Sequence, residues 1–208
     1  SPAADIPVQR YDGWYNNPMN PTWGAVDETY RPSGYDRPNA RVISNALFSD
    51  PLDSQAHGNI HNRTSLFAFF GNITYIVLFK KKSFKLFVNR ASSYIDGSFL
   101  YGTSIVRMEF LREPQSGKLG CEDRFGNFPF KNDVNLPYHP FTYHHYKAEE
   151  LWRMGDTHTF ENRVVLSLSV LFYRYHNMLT LEAMKWRRNL SSDVVFEKAK
   201  RWVIGTMQ

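Results

Sequence analysis

The stretch LFYRYHNMLTLEAM, from Leu171 to Met184, lies in a longer run in which apolar residues recur every three or four positions. That spacing is the period of an α-helix with one buried face, and it predicts a helix over about 160–186. A short loop follows, and its Ser and Asp residues are good N-caps for a second amphipathic helix over about 193–208. The two predicted helices make the carboxy-terminal quarter the most regular part of the chain.

A single histidine, His176, stands in the middle of the first predicted helix. On that helix it shares a face with Phe172 and Tyr173 before it and with Leu179 and Ala183 after it. The spacing leaves two interpretations open. The imidazole is either a core group satisfied by protein partners, or a ligand for the iron of a flat, apolar cofactor such as haem.

Bulk composition excludes several classes of protein. The 208 residues suit one domain or part of a larger one, and 42% hydrophobic with 22% charged residues excludes general disorder. The net charge of +5 is modest, and no nucleic-acid-binding motif surrounds the basic run Lys80–Lys82, so no nucleic-acid partner is predicted. No run of about 18 apolar residues is present, so no membrane span is predicted in this segment.

Cysteine usage and sequons give opposite indications of compartment. Cys121 is the only cysteine, which excludes an intrachain disulfide and is typical of a reducing compartment. Three sequons begin at Asn62, Asn72 and Asn189 and match the acceptor pattern for N-glycosylation. The sequons predict glycosylation and an extracellular or lumenal location.

The amino-terminal part divides into two stretches of different character. Residues 1–71 are rich in turn formers and are predicted to be irregular or short-helical, apart from a strongly apolar run that starts at Leu66 and that periodicity cannot assign to helix or strand. Residues 72–88 match neither a helical nor a strand period and differ in composition from their neighbours. We therefore treat 72–88 as an anomalous insert, and we hypothesise that it is translated non-coding sequence.

Histidines also occur in the loop-like stretch 113–147, at His139, His144 and His145. A His-rich tract can bind metal. Because His144 and His145 are adjacent, they cannot face the same way on a helix, and the tract by itself does not favour a metal site.

Arg174-Tyr-His176-Asn177 lies on the first predicted helix, and Met154-Gly155-Asp156 lies shortly before it. These two sequences resemble the proximal-histidine signature of the animal haem peroxidases and the Gly-Asp motif that precedes that helix in the family. Further matches, in chain order, are Gln9 to Asn17 with Trp23-Gly24, Asn62 to Gly71, Ser92 to Ser98 with Tyr101-Gly102, and Phe196 to Gln208. The amino-terminal blocks are similar to the peroxidase-homology domain of the dual-oxidase branch.

The resemblance implies a mainly α fold, that of a partial animal haem peroxidase-like helical domain with long irregular segments. Residues 1–208 are therefore expected to be an incomplete peroxidase-homology domain with a helical part over 89–208. It implies haem b held without a covalent link, with His176 as the proximal iron ligand and Asn177, Phe172 and Tyr173 around it. The remainder of a dual oxidase contains a membrane-bound NADPH oxidase that makes hydrogen peroxide. The implied roles are hydrogen peroxide generation or use, the response to oxidative stress, and tyrosine cross-linking.

The sequence departs from the family on the other side of the expected haem pocket. Asn72 stands at the position of a distal Gln, and Lys85 is the nearest equivalent of the distal Arg, although Lys is a point charge and not a bidentate fork. After the Gly-Asp motif the family continues with Arg, Asn and Glu, where this chain has His158, Phe160 and Glu161. The family's calcium ligands have no counterpart, so a calcium site is expected to be absent.

These departures keep two functions open. The first is a haem peroxidase domain of a dual oxidase, with the rest of that chain as its partner. The second is a catalytically inactive peroxidase-like module that serves structure or interaction and docks to a maturation partner. With no distal base and only Lys85 in place of the Arg, peroxide turnover by this chain is expected to be weak.

Overall fold

The computed structural model describes residues 10, 12–27, 29–30, 39, 41–42, 45–46, 64–76, 87–88, 92, 94–122, 128–186 and 190–208. The described part is mainly helical, as predicted. In chain order its elements are β1 (Thr29–Tyr30), α1 (Ser65–Ile76), β2 (Phe87–Val88), α2 (Ser98–Tyr101), α3 (Ile105–Leu111), α4 (Pro140–Tyr143), two 3₁₀ turns (Ala148–Glu150 and Thr159–Glu161), α5 (Arg163–Trp186) and α6 (Ser192–Met207). The strands β1 and β2 pair antiparallel, with Thr29 opposite Val88.

The long pair α5 and α6 forms the frame of the fold. Helix α5 begins later than its apolar pattern predicts, because the Asn162 side chain accepts a hydrogen bond from Val164 N (2.9 Å) and the preceding residues form the 3₁₀ turn. Helix α6 is capped by Ser191, whose hydroxyl accepts from Val194 N. The apolar face of α6 is buried against the core and includes Phe196 and Val203. Packing of amphipathic faces, rather than helix propensity, therefore holds this pair together.

Helix α1 resolves the ambiguity of the amino-terminal apolar run in favour of a helix. It continues through Gly71 and includes residues 72–76, so the first part of the segment 72–88 is helical. Ile73 is fully buried in the core. The end of the same segment supplies β2, which pairs with β1. Both ends of the segment 72–88 are thus regular. Their partners, the core around Ile73 and the strand β1, are distant in sequence, so the local period does not reveal them. The division of the chain at residues 72 and 88 stays a prediction.

Two glycine-containing motifs bring α2 against the segment that precedes α5. Gly97 has φ +72°, and a Cβ there would lie 2.9 Å from the Tyr101 ring. At Gly155 a Cβ would lie 2.4 Å from the Leu100 carbonyl carbon, so only glycine allows the two backbones to approach this closely. The side chain of Asp96 accepts a hydrogen bond from Ser98 N (2.9 Å) and thereby fixes the turn into α2.

The core lies where α5, α6, α2 and α3 meet. Its fully buried members include Tyr101, Leu111, Tyr173 and Phe196. Within the described residues, none of the helices combines the length and apolar character needed to cross a bilayer.

Candidate functional site

The residue singled out by the sequence, His176, lies on the core face of α5 and is fully buried. Both ring nitrogens contact protein groups that are distant in sequence. The Tyr101 hydroxyl lies 2.9 Å from Nδ1, and the carbonyl oxygen of Gly117 lies 3.2 Å from Nε2. A carbonyl only accepts, so Nε2–H donates to Gly117, and Nδ1 accepts from the Tyr101 hydroxyl. The hydrogen-bond network thus assigns the neutral Nε2–H tautomer.

Aromatic rings surround this imidazole. The Tyr101 ring meets it edge-on with centroids 5.4 Å apart, and the Phe196 ring of α6 lies 5.0 Å away. Burial lowers the pKa of His176 to about 4, because the charged form would lose its hydration, and the nearby cations Arg112 and Lys200 act in the same direction. The ring is therefore neutral near pH 7.

The next residue, Asn177, binds the same loop that His176 reaches. Its Oδ1 accepts from Leu119 N (2.8 Å), and its Nδ2 donates to Leu119 O (3.0 Å). The amide thus pairs with both backbone groups of one residue, as a neighbouring strand would. Together His176 and Asn177 attach residues 117–119 to α5.

Gly117 is the tightest point of this attachment. Its φ of +72° lies in the left-handed region, and a Cβ there would stand 2.6 Å from the carbonyl oxygen of Ser192 in the first turn of α6. A larger residue would have to displace either the loop or the helix. The contact places the loop between α5 and α6, directly beside the imidazole of His176.

The two aromatic residues predicted to surround a haem also make internal contacts. Tyr173 is fully buried, and its hydroxyl donates to Gly120 O (2.7 Å), with Leu111 O also close at 3.3 Å. Burial raises the pKa of the Tyr173 phenol well above its usual value of 10. Phe172 packs edge-to-face on Phe99, with centroids 5.6 Å apart.

The structure does not describe the side chains of the other site residues predicted from the sequence. Lys85, Asn62 and Asn189 lie outside the described residues. Asn72 lies in α1, and its side chain is likewise outside the description. Their predicted roles in catalysis and glycosylation stay predictions.

Of the histidines in the loop-like tract, one joins a cluster that the sequence analysis did not find. The side chain of His139 lies beside those of His158 and Glu161, whereas His144 and His145 are exposed elsewhere in the tract. A signal was present in the sequence, since His158 and Glu161 are spaced three apart, but their distance along the chain from His139 concealed the cluster.

Comparison with known proteins agrees with the helical fold and with the motifs around α5. A family model described as animal haem peroxidase matches residues 80–208. The chain belongs to the animal haem peroxidase family. Peroxidase A from Dictyostelium discoideum has a similar fold, with a TM-score of 0.77 and 21% identity over 97% of this chain and 51% of that chain.

Dual oxidases resemble the chain over nearly its whole length. The dual oxidase of Drosophila melanogaster is 27% identical over 96% of this chain, and dual oxidase 1 of Caenorhabditis elegans is 26% identical over 96%. The chain spans only 17% of the length of each of these proteins. The Drosophila alignment covers 263 positions against 208 residues, so at least 55 positions have no residue in this chain.

Membership of this family implies haem binding, yet the geometry around His176 does not fit a haem iron ligand. An axial histidine must offer one ring nitrogen to the iron. Here Nδ1 contacts Tyr101 and Nε2 contacts Gly117, and the Phe196 ring packs against the imidazole at a tilt of 57°. Within the Arg-Tyr-His-Asn sequence, His176 and Asn177 attach the loop 117–119 to α5. The role of proximal ligand for His176 stays a prediction, and this arrangement argues against it.

Proposed function

We propose that this chain is part of the peroxidase-homology domain of a dual-oxidase-type protein, and that it acts there as structural frame rather than as a complete catalytic unit. The observation that carries this proposal is the sealed environment of His176, in which both ring nitrogens bond to protein. Similarity to dual oxidases over 96% of the chain supports the choice of parent protein.

In such a parent protein the domain would lie on the extracellular or lumenal side, and the sequons at Asn62, Asn72 and Asn189 support that side. Hydrogen peroxide would be made by the NADPH oxidase module elsewhere in the parent chain. Use of the peroxide for tyrosine cross-linking would require haem contacts from residues outside the described part of this chain.

The competing function is a haem peroxidase that works through His176 itself. It would require the loop at Gly117 to leave Nε2, or the Tyr101 hydroxyl to leave Nδ1. Either change breaks a hydrogen bond in the core, and the loss of Gly117 from its place would also disturb the start of α6. Unsatisfied buried polar groups are costly, so such a rearrangement opposes haem uptake at this histidine.

A haemin titration separates the two functions. We would add haemin to the 208-residue chain and to His176→Gln, follow the Soret band, and measure peroxide-dependent oxidation of tyrosine. His145→Gln, which changes an exposed histidine, is the matched control. We expect His176→Gln to leave the spectrum unchanged, and turnover to be no faster than that of free haemin.

One result of the same titration would instead support the catalytic function. A saturable Soret band at one haemin per chain that disappears in His176→Gln and persists in His145→Gln would assign the iron to His176. That result would replace the structural function with the catalytic one.

A further inference from the structure

A second group of chemically active side chains lies away from His176, at the segment that leads into α5. It consists of His139, His158 and Glu161, and the potential ligand atoms of the three all lie within 4.8 Å of one another. The Nδ1 of His139 is 2.8 Å from the Oε1 of Glu161. The two imidazole rings stack with centroids 4.8 Å apart and an angle of 30°.

Local backbone structure places His158 and Glu161 on the same side. The residues Thr159–Glu161 form a 3₁₀ turn, and His158 is its N-cap. Side chains three apart on a 3₁₀ helix eclipse one another, so His158 and Glu161 project together. The same spacing on an extended chain would not bring them side by side.

Tertiary contacts bring in His139 from the preceding loop. Its backbone N–H donates to Thr157 O (2.9 Å), which fixes the loop beside the 3₁₀ turn. The neighbouring rings of Tyr138 and Phe160 pack edge-to-face, with centroids 5.1 Å apart. These contacts hold the loop that carries His139 against the 3₁₀ turn that carries His158 and Glu161.

A buried carboxylate orients one of the imidazoles. Asp156 is 6% exposed, and its Oδ1 accepts from the backbone N of His158 (2.6 Å) and lies 3.0 Å from the Nδ1 of the same residue. A histidine that donates its Nδ1–H to a carboxylate presents Nε2 as a basic ligand atom. This carboxylate–histidine arrangement is the usual support behind a metal-bound imidazole.

The donor set determines which kind of ion would fit. Two imidazoles and one carboxylate, with a fourth position open to water, suit Zn²⁺ with ligands at about 2.0–2.2 Å. In a tetrahedral site such ligand atoms stand about 3.3 Å apart, so His139 and Glu161 at 2.8 Å need only a small outward rotation. Their side chains are 46% and 31% exposed, which gives an ion access and gives the side chains freedom to adjust.

We propose that His139, His158 and Glu161 bind a divalent transition-metal ion of the zinc type, and that Asp156 is the positioning residue for His158. The ion takes the place of the direct contact between His139 and Glu161, and its positive charge attracts the three ligand atoms towards one point. A water molecule completes the coordination from the solvent side.

The test is direct metal binding by the 208-residue chain after removal of bound metal with a chelator. Zn²⁺ would be titrated in competition with a chromophoric chelator, and Co²⁺ would be added separately, because its visible absorption is intense in a tetrahedral site. Far-UV circular dichroism checks that each variant keeps its helices. We expect one Zn²⁺ per chain and a tetrahedral Co²⁺ spectrum.

Variants assign the ligands. His139→Ala and Glu161→Gln change partly exposed side chains, and each should weaken Zn²⁺ binding by more than about 100-fold, whereas loss of an outer partner in Asp156→Asn should weaken it by about 10–100-fold. His144→Ala removes an exposed histidine of the same loop-like tract and should leave affinity unchanged. If Asp156→Asn does not fold, His139→Ala still decides the question.

Two results would overturn the proposal. One is a folded wild-type chain that binds no Zn²⁺ under these conditions, which would leave the cluster as a pair of hydrogen-bonded side chains. The other is a loss of affinity in His144→Ala equal to that in His139→Ala, which would indicate diffuse binding to surface histidines.

Discussion

Acidification should destabilise this fold through His176 in a window that can be calculated. The folded pKa of about 4 lies below the ordinary value of 6.5, because the buried ring resists protonation. Between pH 4 and pH 6.5, His176 therefore binds a proton in the unfolded chain but not in the folded chain. The stabilising effect of the neutral ring is complete above pH 6.5 and is lost as the pH falls towards 4.

The magnitude follows from the separation of the two pKa values. A difference of about 2.5 between them corresponds to about 3 kcal/mol of unfolding free energy over the whole window. Between pH 7 and pH 5 the loss attributable to His176 is about 2 kcal/mol. That interval lies above the range in which most carboxylates titrate, so a variant without a titrating group at position 176 can isolate the contribution of His176.

Urea unfolding at pH 7 and pH 5, followed by tryptophan fluorescence, measures this effect. His176→Gln keeps an amide that can accept from Tyr101 and donate to Gly117, but it does not titrate. We expect its unfolding free energy to change by about 2 kcal/mol less than that of the wild type between the two pH values. His145→Gln is the control, and it should retain the wild-type dependence.

A pH dependence of the unfolding free energy in His176→Gln equal to that of the wild type would refute a role of His176 in the acid destabilisation. An independent measurement covers the case in which this variant does not fold. In nitrogen-detected NMR of the wild type, the His176 ring should show the Nε2–H tautomer and should not titrate between pH 7 and pH 5. Titration near pH 6.5 would contradict the burial argument.

Two further predictions concern the loop beside His176 and the location of the chain. Gly117→Ala should lower the unfolding free energy by about 1–3 kcal/mol from its positive φ alone, and by more from the contact with Ser192. Gly205→Ala in α6, where a Cβ meets nothing within 4 Å, should instead be neutral or stabilising by up to about 1 kcal/mol, and denaturant unfolding of both variants compares them. Expression through a secretory pathway should add glycan at Asn62, seen as a mass shift of the wild type on glycosidase treatment that is smaller in the Asn62→Gln control. A wild-type chain that shows no shift would count against the extracellular assignment.

Local sequence patterns predicted much of the fold. The period of three to four residues marked α5 and α6, because a helix that buries one face must repeat its apolar residues at that spacing. The Asp96-Gly97-Ser98 block and the Gly155-Asp156 motif were recognised through their resemblance to the animal haem peroxidases, and the structure shows that each meets a backbone requirement that few residues satisfy. The apolar run at α1 was ambiguous, since a short buried segment has no polar face to reveal its period.

The sequence by itself determined that His176 is buried in a helical, aromatic setting, but the tertiary structure decided what that histidine does. Its partners, Tyr101 and Gly117, lie 75 and 59 residues earlier in the chain. The metal-ligand candidates likewise combine the local pair His158 and Glu161 with His139 from another loop. Helical period and capping depend on a few adjacent residues, so the sequence reveals them. The partners of a buried ring nitrogen, or of a bound ion, come from residues far apart in the chain, and only the folded structure brings them together.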